Sequence, residues 1–545
     1  MKHVILLAFA LLVAVPPAFA QAQAQHDHAA AGSDQIGSDS VSFLTSCAPA
    51  VRQDFNRAVA LLHSFWFAQA IAAFDDVAAK DPSCAMAHWG VALSRWGNPF
   101  AGLRQPQQIE MGRAAIERAQ KTGAPTPRER AYIAAAAELF TSGDAATQRA
   151  RTVAYEQAME RVVRDFPGDM EGRIFFALAV NQTALASDKQ FSQQLKAAAI
   201  LEPLFKEHPK HPGLAHYIIH AYDHPPLAEK ALTAARSYAS LAPAVPHALH
   251  MPSHTFTRVG LWNESIETNR RSAEAARKEN ATSEELHAMD YQTYAYLQTA
   301  KDADARRLTD EARLAFGRLD PNAAGAAAPG VAGVYAAAAI PARYALERNA
   351  WGEAAVLPVR KTAFPHTDAI THFARAIGAA RSGSPAAAAA DIEQLAALRD
   401  ALQTMKDAYW AEQVDIQRQI AIAWVTFAQG DRARGIELLR AAAAAEDATD
   451  KSAVSPGPLA PARELLGYML LEANRPADAL VEFEATIKKE PNRFRGVYGG
   501  ARAAEAAGQR PRAIALYKQL LSIADGVAPV REELIHASAF VGSQP

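Results

Sequence analysis

Histidine is concentrated in one stretch of this 545-residue chain, where nine of the 17 histidines fall between positions 208 and 287. Two sets within that stretch have helical spacing: His216, His220 and His224, followed by His247, His250 and His254. Side chains three or four residues apart lie on one face of a helix and meet across a turn. Imidazole is a frequent ligand of transition metals, so this stretch is the first candidate for a metal site.

Three interpretations of these histidines are open. In the first, imidazoles one helical turn apart bind a metal ion at about 2.1 Å per nitrogen. Zinc is the first guess, although ligand type alone does not separate zinc from nickel, copper or iron. In the second, the histidines bind an anionic peptide or carboxylate with a pH-dependent charge. In the third they are structural, bonded to backbone or to nearby tyrosines: Tyr217, Tyr222 and Tyr291.

Catalysis at such a site is a further hypothesis, which the sequence supports only in part. His216 and His220 enclose the motif HYIIH, in which Tyr217 stands where a zinc protease would carry its general-base glutamate. Another carboxylate would have to activate the water, and the candidates are Asp223, Glu284 and Asp290. The chain has no GxGxxG, GxxxxGKS/T, GxSxG or CxxC motif. A non-enzymatic role is therefore favoured over a metal-dependent hydrolase.

A recurring pattern predicts the elements that carry these histidines. A small residue is followed at steps of +4, +3 and +5 by two further anchors and a proline, as in Ala70, Phe74, Val77 and Pro82; Ala231, Ala235, Tyr238 and Pro243; and Ala479, Phe483, Thr486 and Pro491. The first two steps place the anchors on one helix face, and the proline ends the helix. Anchors recur after 34 residues, from Ala231 to Ser265 and from Ala479 to Ala513. The pattern resembles the tetratricopeptide repeat, a 34-residue helix–turn–helix.

The resemblance covers most of the chain, from about Phe43 to Ala524. It implies an all-α fold, a tetratricopeptide-like α-solenoid in which helical hairpins form a right-handed superhelix with a concave groove. An alanine-rich composition with only 8% aromatic residues also favours closely packed helices. The chain further resembles a group of exported bacterial tetratricopeptide proteins of unknown role, through segments such as HALHMPSHTFTRVGLW.

The same resemblance implies which side chains face the groove. In the 34-residue register, four imidazoles occupy equivalent groove positions and are predicted to be the metal ligands: His216, His220, His250 and His254. Four more side chains are expected near them: His247, His287, Asp223 and Asp290. Other groove positions predict ligands for a bound partner, in part because arginine can clamp a carboxylate: Tyr294, Arg495, Tyr498 and Arg502.

The first twenty residues are predicted to be a secretory signal peptide, with an apolar run from Val4 to Val15 and an A-x-A site that ends at Ala20. Cleavage there would leave a periplasmic or secreted protein without a transmembrane segment. An exported protein with two cysteines is expected to pair them. Cys47 and Cys84 are therefore predicted to form a disulfide, with free thiols as the alternative.

Composition predicts how the mature chain is divided: a disordered tail at 21–42, a first solenoid with the histidine-rich groove at 43–317, a hinge at 318–333, a second solenoid at 334–527 and a tail at 528–545. A net charge of −2 gives no reason to expect a nucleic-acid partner. The function predicted first is a scaffold that binds a protein or peptide in its groove. Its distinguishing feature is a histidine patch able to hold a divalent transition metal.

Overall fold

The computed structural model describes residues 35–323, 325–528 and 530–542. The predicted signal peptide and the first part of the predicted tail, up to residue 34, lie outside these ranges. Within the described ranges the regular elements are all helices, with no strand, which confirms the predicted all-α class.

The α-helices are α1 Arg52–His63, α2 Phe67–Lys80, α3 Ala85–Trp96, α4 Pro106–Thr122, α5 Pro127–Ala137, α6 Gln148–Asp165, α7 Met170–Gln182, α8 Ser192–Glu207, α9 Pro212–Ala221, α10 Leu232–Leu241, α11 Pro246–His250, α12 Pro252–Arg258, α13 Trp262–Lys278, α14 Thr282–Gln298, α15 Asp302–Phe316, α16 Gly330–Leu346, α17 Trp351–Ala355, α18 Pro365–Arg381, α19 Ala389–Thr404, α20 Ala408–Ala428, α21 Arg432–Ala448, α22 Ala462–Glu472, α23 Pro476–Lys489, α24 Phe494–Ala506, α25 Arg510–Ile523 and α26 Glu532–Gly542. Short 3₁₀ helices lie at Ser38–Ser40, Pro49–Val51, Glu138–Phe140, Ala145–Thr147, Ala228–Ala231 and Pro385–Ala388.

Most consecutive helices pack against each other, because small residues let them approach closely. Gly90 on α3 lies against the ring of Phe74 on α2, where an added Cβ would come within 2.4 Å of the ring. Gly467 on α22 meets Phe483 on α23 in the same way, at 2.7 Å. A glycine that faces an aromatic anchor of the repeat pattern therefore occurs near both ends of the chain. In each case it allows the two helices of the hairpin to pack closely.

The 34-residue period is present in the helices themselves. Pro212 begins α9 and Pro246 begins α11, and each occupies the first helical position, where a missing N–H costs nothing. Near the C-terminus, α23 begins at Pro476 and α25 begins at Arg510, again 34 residues later. The structure thus confirms the predicted architecture of tetratricopeptide-like helical hairpins.

One predicted helix is interrupted in the structure. The helix expected from the spacing of His247, His250 and His254 is divided into α11 and α12, because Pro252 has no N–H to donate to the preceding turn. Met251 nevertheless keeps helical dihedral angles, with φ −53° and ψ −35°. The three histidines on this segment therefore still follow one another along a continuous helical path.

The segment predicted as a hinge, residues 318–333, ends inside α16 and bonds to other parts of the fold. The carbonyl of Gly325 accepts a hydrogen bond from the Ala68 amide at 3.0 Å. The Asn98 side chain donates to the carbonyl of Ala327 at 2.9 Å. That this segment acts as a hinge stays a prediction.

Cys47 and Cys84 are bonded, with an S–S distance of 2.02 Å. The bond joins the segment before α1 to the start of α3, and both cysteines are buried. Among the described residues, no helix is both long enough and apolar enough to cross a membrane.

Candidate metal centre

Six buried histidines lie together between α9, α11, α12 and α14, and we call them the histidine cluster. They form two triads, and within each triad the potential ligand atoms lie within 4.8 Å of one another. The first triad is His216, His220 and His247, and the second is His250, His254 and His287. Each of the six side chains is at most 9% exposed. The structure therefore collects in one place six of the seven histidines that the sequence singled out, and His224 belongs to neither triad.

The grouping differs from the predicted one. The sequence predicted a four-histidine site in which two HxxxH pairs face each other, with His247 and His287 nearby. In the structure each HxxxH pair instead acquires a third histidine from the second helix that follows it along the chain. His247 on α11 joins the pair on α9, and His287 on α14 joins the pair around Pro252. The 34-residue period places each pair at an equivalent position in its hairpin, and the first helix of the next hairpin supplies the third ring.

In the second triad, neighbouring groups fix which ring nitrogen carries the proton. His250 Nδ1 lies 2.7 Å from Asn269 Oδ1, and Asn269 donates its own amide N–H to the carbonyl of Ser265 at 2.7 Å. The Asn269 oxygen therefore faces the ring, and His250 Nδ1 must be the donor. His254 Nδ1 lies 2.8 Å from Asp223 Oδ2 and also donates. Both rings consequently present Nε2 as a bare lone pair.

The first triad is held in a similar way. His216 Nδ1 donates to the backbone carbonyl of His63 at 2.6 Å, so its Nε2 also carries a lone pair. That nitrogen lies 3.0 Å from His220 Nε2 and 3.2 Å from His247 Nε2. A single lone pair therefore faces two further ring nitrogens.

The nitrogen–nitrogen contact of the second triad has no satisfactory explanation as a hydrogen bond. His250 Nε2 and His254 Nε2 lie 3.0 Å apart, and the protons of both rings are already on Nδ1. Two lone pairs that face each other in a buried site repel unless a cation lies between them. Two nitrogens that each lie about 2.1 Å from one ion, at angles of about 90° to 110°, are about 3.0 to 3.4 Å apart. The observed spacing is that of two ligands on one metal ion.

Burial keeps the six rings neutral. Desolvation lowers the pKa of His216 to about 3, and it lowers the pKa of His287 to about 3 as well. Desolvation and then neighbouring imidazoles hold the pKa values of His220, His247 and His250 well below their usual range. A neutral imidazole is the form that binds a metal, so the cluster is kept in its ligand state.

Asp223 supports the second triad from behind the ring of His254. Although burial alone would raise its pKa, Lys451, Arg258 and His254 hold the pKa of Asp223 well below its usual range. Arg258 Nε donates to Asp223 Oδ1 at 2.9 Å, and Lys451 Nζ lies 3.7 Å from the same oxygen. A carboxylate that orients a ligating histidine through Nδ1–H is a familiar support for metal sites. Asp223 therefore orients a ring and is not part of either triad.

Asp290 was predicted near the metal, and the structure pairs it with Arg343. Its Oδ1 accepts a hydrogen bond from Arg343 Nε at 2.8 Å, and both side chains are fully buried. The same arginine also donates to Ser455 Oγ and to the carbonyl of Gly457. Asp290 thus fastens the loop between α21 and α22 to α14, and it belongs to neither triad.

Two of the predicted groove ligands are also corrected. Tyr294 is fully buried, and its hydroxyl accepts a hydrogen bond from Arg493 at 2.9 Å. Arg495 is 4% exposed and is held by Glu464 and the carbonyl of Leu346. Both side chains are buried, and their polar atoms already have partners inside the protein. Neither side chain is therefore free to bind a ligand in a groove.

The other two predicted groove ligands lie at the surface of α24. Arg502 is exposed and Tyr498 is half-buried, and Arg502 donates to the Tyr498 hydroxyl at 3.3 Å. Glu505, one turn further along, lies 3.6 Å from the Arg502 guanidinium. The structure keeps this pair together, and its role as a ligand site stays a prediction.

A second buried group adjoins the first triad, and no pattern in the sequence predicted it. His63 Nε2 and His211 Nε2 donate to the two oxygens of Glu171 at 2.9 and 3.1 Å. The Tyr217 hydroxyl donates to His63 Nδ1 at 3.0 Å. We call these residues the His–Glu–His group. His63 and Glu171 are 108 residues apart, so only the tertiary fold brings them together.

Comparison with known proteins gives matches among solved structures. No known family model matches it, and no curated protein sequence matches it. The human IFIT1 dimer with m7Gppp-AAAA is similar at 10% identity and a TM-score of 0.39, covering 81% of this chain and 90% of that one. The APC/C hetero-tetramer Cut9–Hcn1 has 11% identity and a TM-score of 0.32, covering 90% and 89%. Yeast Tom70 has 11% identity and a TM-score of 0.29, covering 90% and 88%.

The helices and the site define the class of this protein. In the part of the chain that the structure describes, it is an all-helical protein of tetratricopeptide-like hairpins, two of which recur after 34 residues, from α9 to α11 and from α23 to α25. It differs from a plain repeat array in that two histidine triads occupy its interior.

Proposed function

We propose that this protein binds transition metal, with one ion in each triad of the histidine cluster. The observation that carries the proposal is the 3.0 Å contact between His250 Nε2 and His254 Nε2, since both rings have their proton on Nδ1. The corresponding contacts around His216 Nε2 support a second ion in the first triad.

The donor atoms narrow the choice of metal. Both triads consist of neutral imidazoles, which suit zinc, copper, nickel and iron(II), whereas magnesium and calcium require oxygen ligands. Three of the rings are oriented through Nδ1–H by a carbonyl, an amide and a carboxylate. Such support fixes the rings before an ion arrives and strengthens binding.

A binding role fits the site better than hydrolysis does. A metal hydrolase needs a carboxylate that can activate a metal-bound water. The three candidates already have other partners: Asp223 holds His254, Asp290 pairs with Arg343, and Glu284 accepts hydrogen bonds from the amides of Ala327 and Ala328. We therefore keep the hydrolase as the alternative and the non-catalytic metal protein as the proposal.

A partner-binding role for the hairpin array is the second part of the proposal. An open cleft lies between α20 and the loop that follows α21. Its wall combines the half-buried aromatic ring of Trp410 with the charged groups of Lys489 and Glu490. Such a mixture suits a protein or peptide segment. We place the mature protein in the periplasm or outside the cell, on the strength of the signal-like sequence at residues 1–20.

Metal content per chain tests the proposal. Untagged protein is stripped with chelator, reloaded with a single metal, dialysed and measured by mass spectrometry of the metal. Two equivalents per chain are expected for wild type, and about one for His220→Ala or for His287→Ala, because each variant loses one ligand of one triad. His208→Ala removes an exposed histidine outside the cluster and should keep both ions. Fewer than about 0.2 equivalents in wild type, with every metal tried, would refute the proposal.

A further inference from the structure

The charge around the histidine cluster identifies the kind of ion it is built for. We infer that the two triads bind two copper(I) ions, a conclusion that rests on the proposed metal-binding function and narrows it. The argument uses the charge of the site, the number of donors in each triad and the groups that surround the rings.

The cluster has no negative charge with which to balance divalent ions. Every donor in the two triads is a neutral imidazole. The nearest carboxylate, Asp223, is already matched by the positive charges of Arg258 and Lys451. The negative charge of Asp290 is matched by Arg343. Two divalent ions would bring four uncompensated charges into this interior, whereas two monovalent ions bring two.

The cost of burying an ion grows with the square of its charge. A divalent ion in the same place therefore has a desolvation cost about four times that of a monovalent ion. Structural zinc sites usually offset that cost with cysteine thiolates or carboxylates. Neither kind of ligand is present in the triads, so the site penalises divalent ions and tolerates a monovalent one.

The number of donors supports the same conclusion. Zinc is almost always bound by four ligands in closed protein sites, and each triad supplies three. Copper(I) has a filled d shell and is stable with three nitrogen ligands. A buried three-nitrogen site therefore meets the full requirement of copper(I), whereas zinc bound by three histidines takes a water molecule as its fourth ligand.

The surroundings of the cluster also favour the lower oxidation state. Phe65 packs edge-on against His216, with ring centroids 4.4 Å apart, and Phe100 stacks on His220 at 4.3 Å. Tyr291 contacts His250 at 4.7 Å. An aromatic shell limits the access of water and lowers the local dielectric constant, and this stabilises the less charged state of a redox-active metal.

The two triads lie side by side. The rings of His220 and His254, in different triads, have centroids 6.4 Å apart, and those of His247 and His250 are 6.3 Å apart. These separations match the widest within one triad, which is 6.5 Å between His254 and His287. The two copper ions would therefore be neighbours, and the mutual repulsion of two monovalent ions is a quarter of that between two divalent ions.

Competition titration without oxygen tests the inference. Apoprotein is titrated with copper(I) against a chromogenic copper(I) chelator, and separately with zinc(II) against a zinc indicator. Two equivalents of copper(I) are expected, bound at least about 100-fold more tightly than zinc(II). X-ray absorption should show copper(I) with a first shell of nitrogen only. Zinc bound as tightly as copper(I), or uptake of a single copper, would overturn the inference while leaving metal binding intact. Binding of neither metal would refute the proposed function as well.

A charge variant gives an independent readout. Asn269→Asp would place a carboxylate beside His250 Nδ1, as Asp223 is placed beside His254. The added negative charge should shift the preference towards zinc(II) by about tenfold relative to wild type. Asn269→Ser alters the same contact without adding charge, so it should weaken both metals without this shift. An equal change of preference in both variants would contradict the charge argument.

Discussion

The histidine cluster and the His–Glu–His group are adjacent and fully buried, yet their ring nitrogens are satisfied differently. In the His–Glu–His group every close contact pairs a donor with an acceptor, since Glu171 accepts from His63 and His211, and Tyr217 donates to His63. In the cluster, nitrogens that carry lone pairs face each other at 3.0 Å. Protons account for the contacts of the first arrangement, and we propose that a cation accounts for those of the second.

The comparison shows that proximity of histidines does not by itself define a metal site. Both regions have three potential ligands within 4.8 Å of one another. The two regions differ in the chemical group that lies opposite each ring nitrogen. Although burial alone would raise its pKa, His211 and His63 hold the pKa of Glu171 below its usual range, and the resulting carboxylate accepts both ring protons. The cluster contains no carboxylate among its own members.

The largest expected effect comes from removing one ligand from each triad. The double variant His220→Ala with His254→Ala should lose both bound ions and the thermal stabilisation that metal gives to wild type. An ion present at about 100 times its Kd adds about 2.7 kcal/mol to the free energy of unfolding. Thermal unfolding with and without metal, beside metal analysis, measures the loss. His208→Ala serves as the matched control, and stoichiometric metal in the double variant would contradict this assignment of ligands.

The next largest effect is expected in the His–Glu–His group. Glu171→Gln removes the carboxylate that accepts both ring protons, so the free energy of unfolding should fall by about 3 kcal/mol. Chemical denaturation measures this change. The variant should still bind two ions, because protons and not metal complete this group in the wild type. Loss of an ion from a folded Glu171→Gln protein would mean that the two regions are not distinct in the way we describe.

Glu284 extends the comparison to a buried carboxylate that has no imidazole partner. Burial raises its pKa from 4.5 to about 7. Its stabilising contribution is therefore complete below about pH 4.5 and is lost as the pH rises through about 7, by up to about 3 kcal/mol. Glu284→Gln stays neutral and can still accept from the Ala327 and Ala328 amides. The variant should gain stability over wild type between pH 5 and pH 8, as measured by urea unfolding at both values.

All other titrating groups are the same in wild type and in Glu284→Gln. Their contributions therefore cancel in the difference between the unfolding free energies of the two proteins. A stability difference that is the same at pH 5 and pH 8 would show that Glu284 does not carry the expected proton.

The smallest effect concerns Asp223, which supports the second triad without joining it. Asp223→Asn weakens the hydrogen bond to His254 Nδ1 and should lower the affinity for one of the two ions by about 10-fold to 100-fold. The other ion, in the first triad, should keep its wild-type affinity. Isothermal titration of the stripped protein resolves the two sites. An equal loss at both sites would indicate that the triads act as one unit.

Much of this fold could be predicted from sequence because its signals are local. The repeat anchors around Phe74 and Phe483 report contacts within one hairpin, and the structure has these rings against Gly90 and Gly467. The HxxxH spacing likewise reports a single helix face. To predict that His216 and His220 lie close to His250 and His254, only this spacing and the 34-residue repeat period were needed.

What could not be predicted depends on contacts between distant parts of the chain. Asp290 occupies a groove position in the repeat register, but Arg343 pairs with it from another helix. Arg495 was predicted to be exposed in the groove, but Glu464 and neighbouring backbone bury it. His63 and Glu171 have no common motif. No pattern along the sequence records these pairings, because each is decided by which helices meet.

Anomalous X-ray diffraction from crystals of the metal-loaded protein is the most direct test of the central claim. Data collected on both sides of the absorption edge of the bound metal locate its ions without prior assumption. We predict two peaks per chain, one among the ring nitrogens of His216, His220 and His247 and one among those of His250, His254 and His287. Peaks only elsewhere, for instance between His63 and Glu171, or no peak in fully loaded crystals, would contradict it.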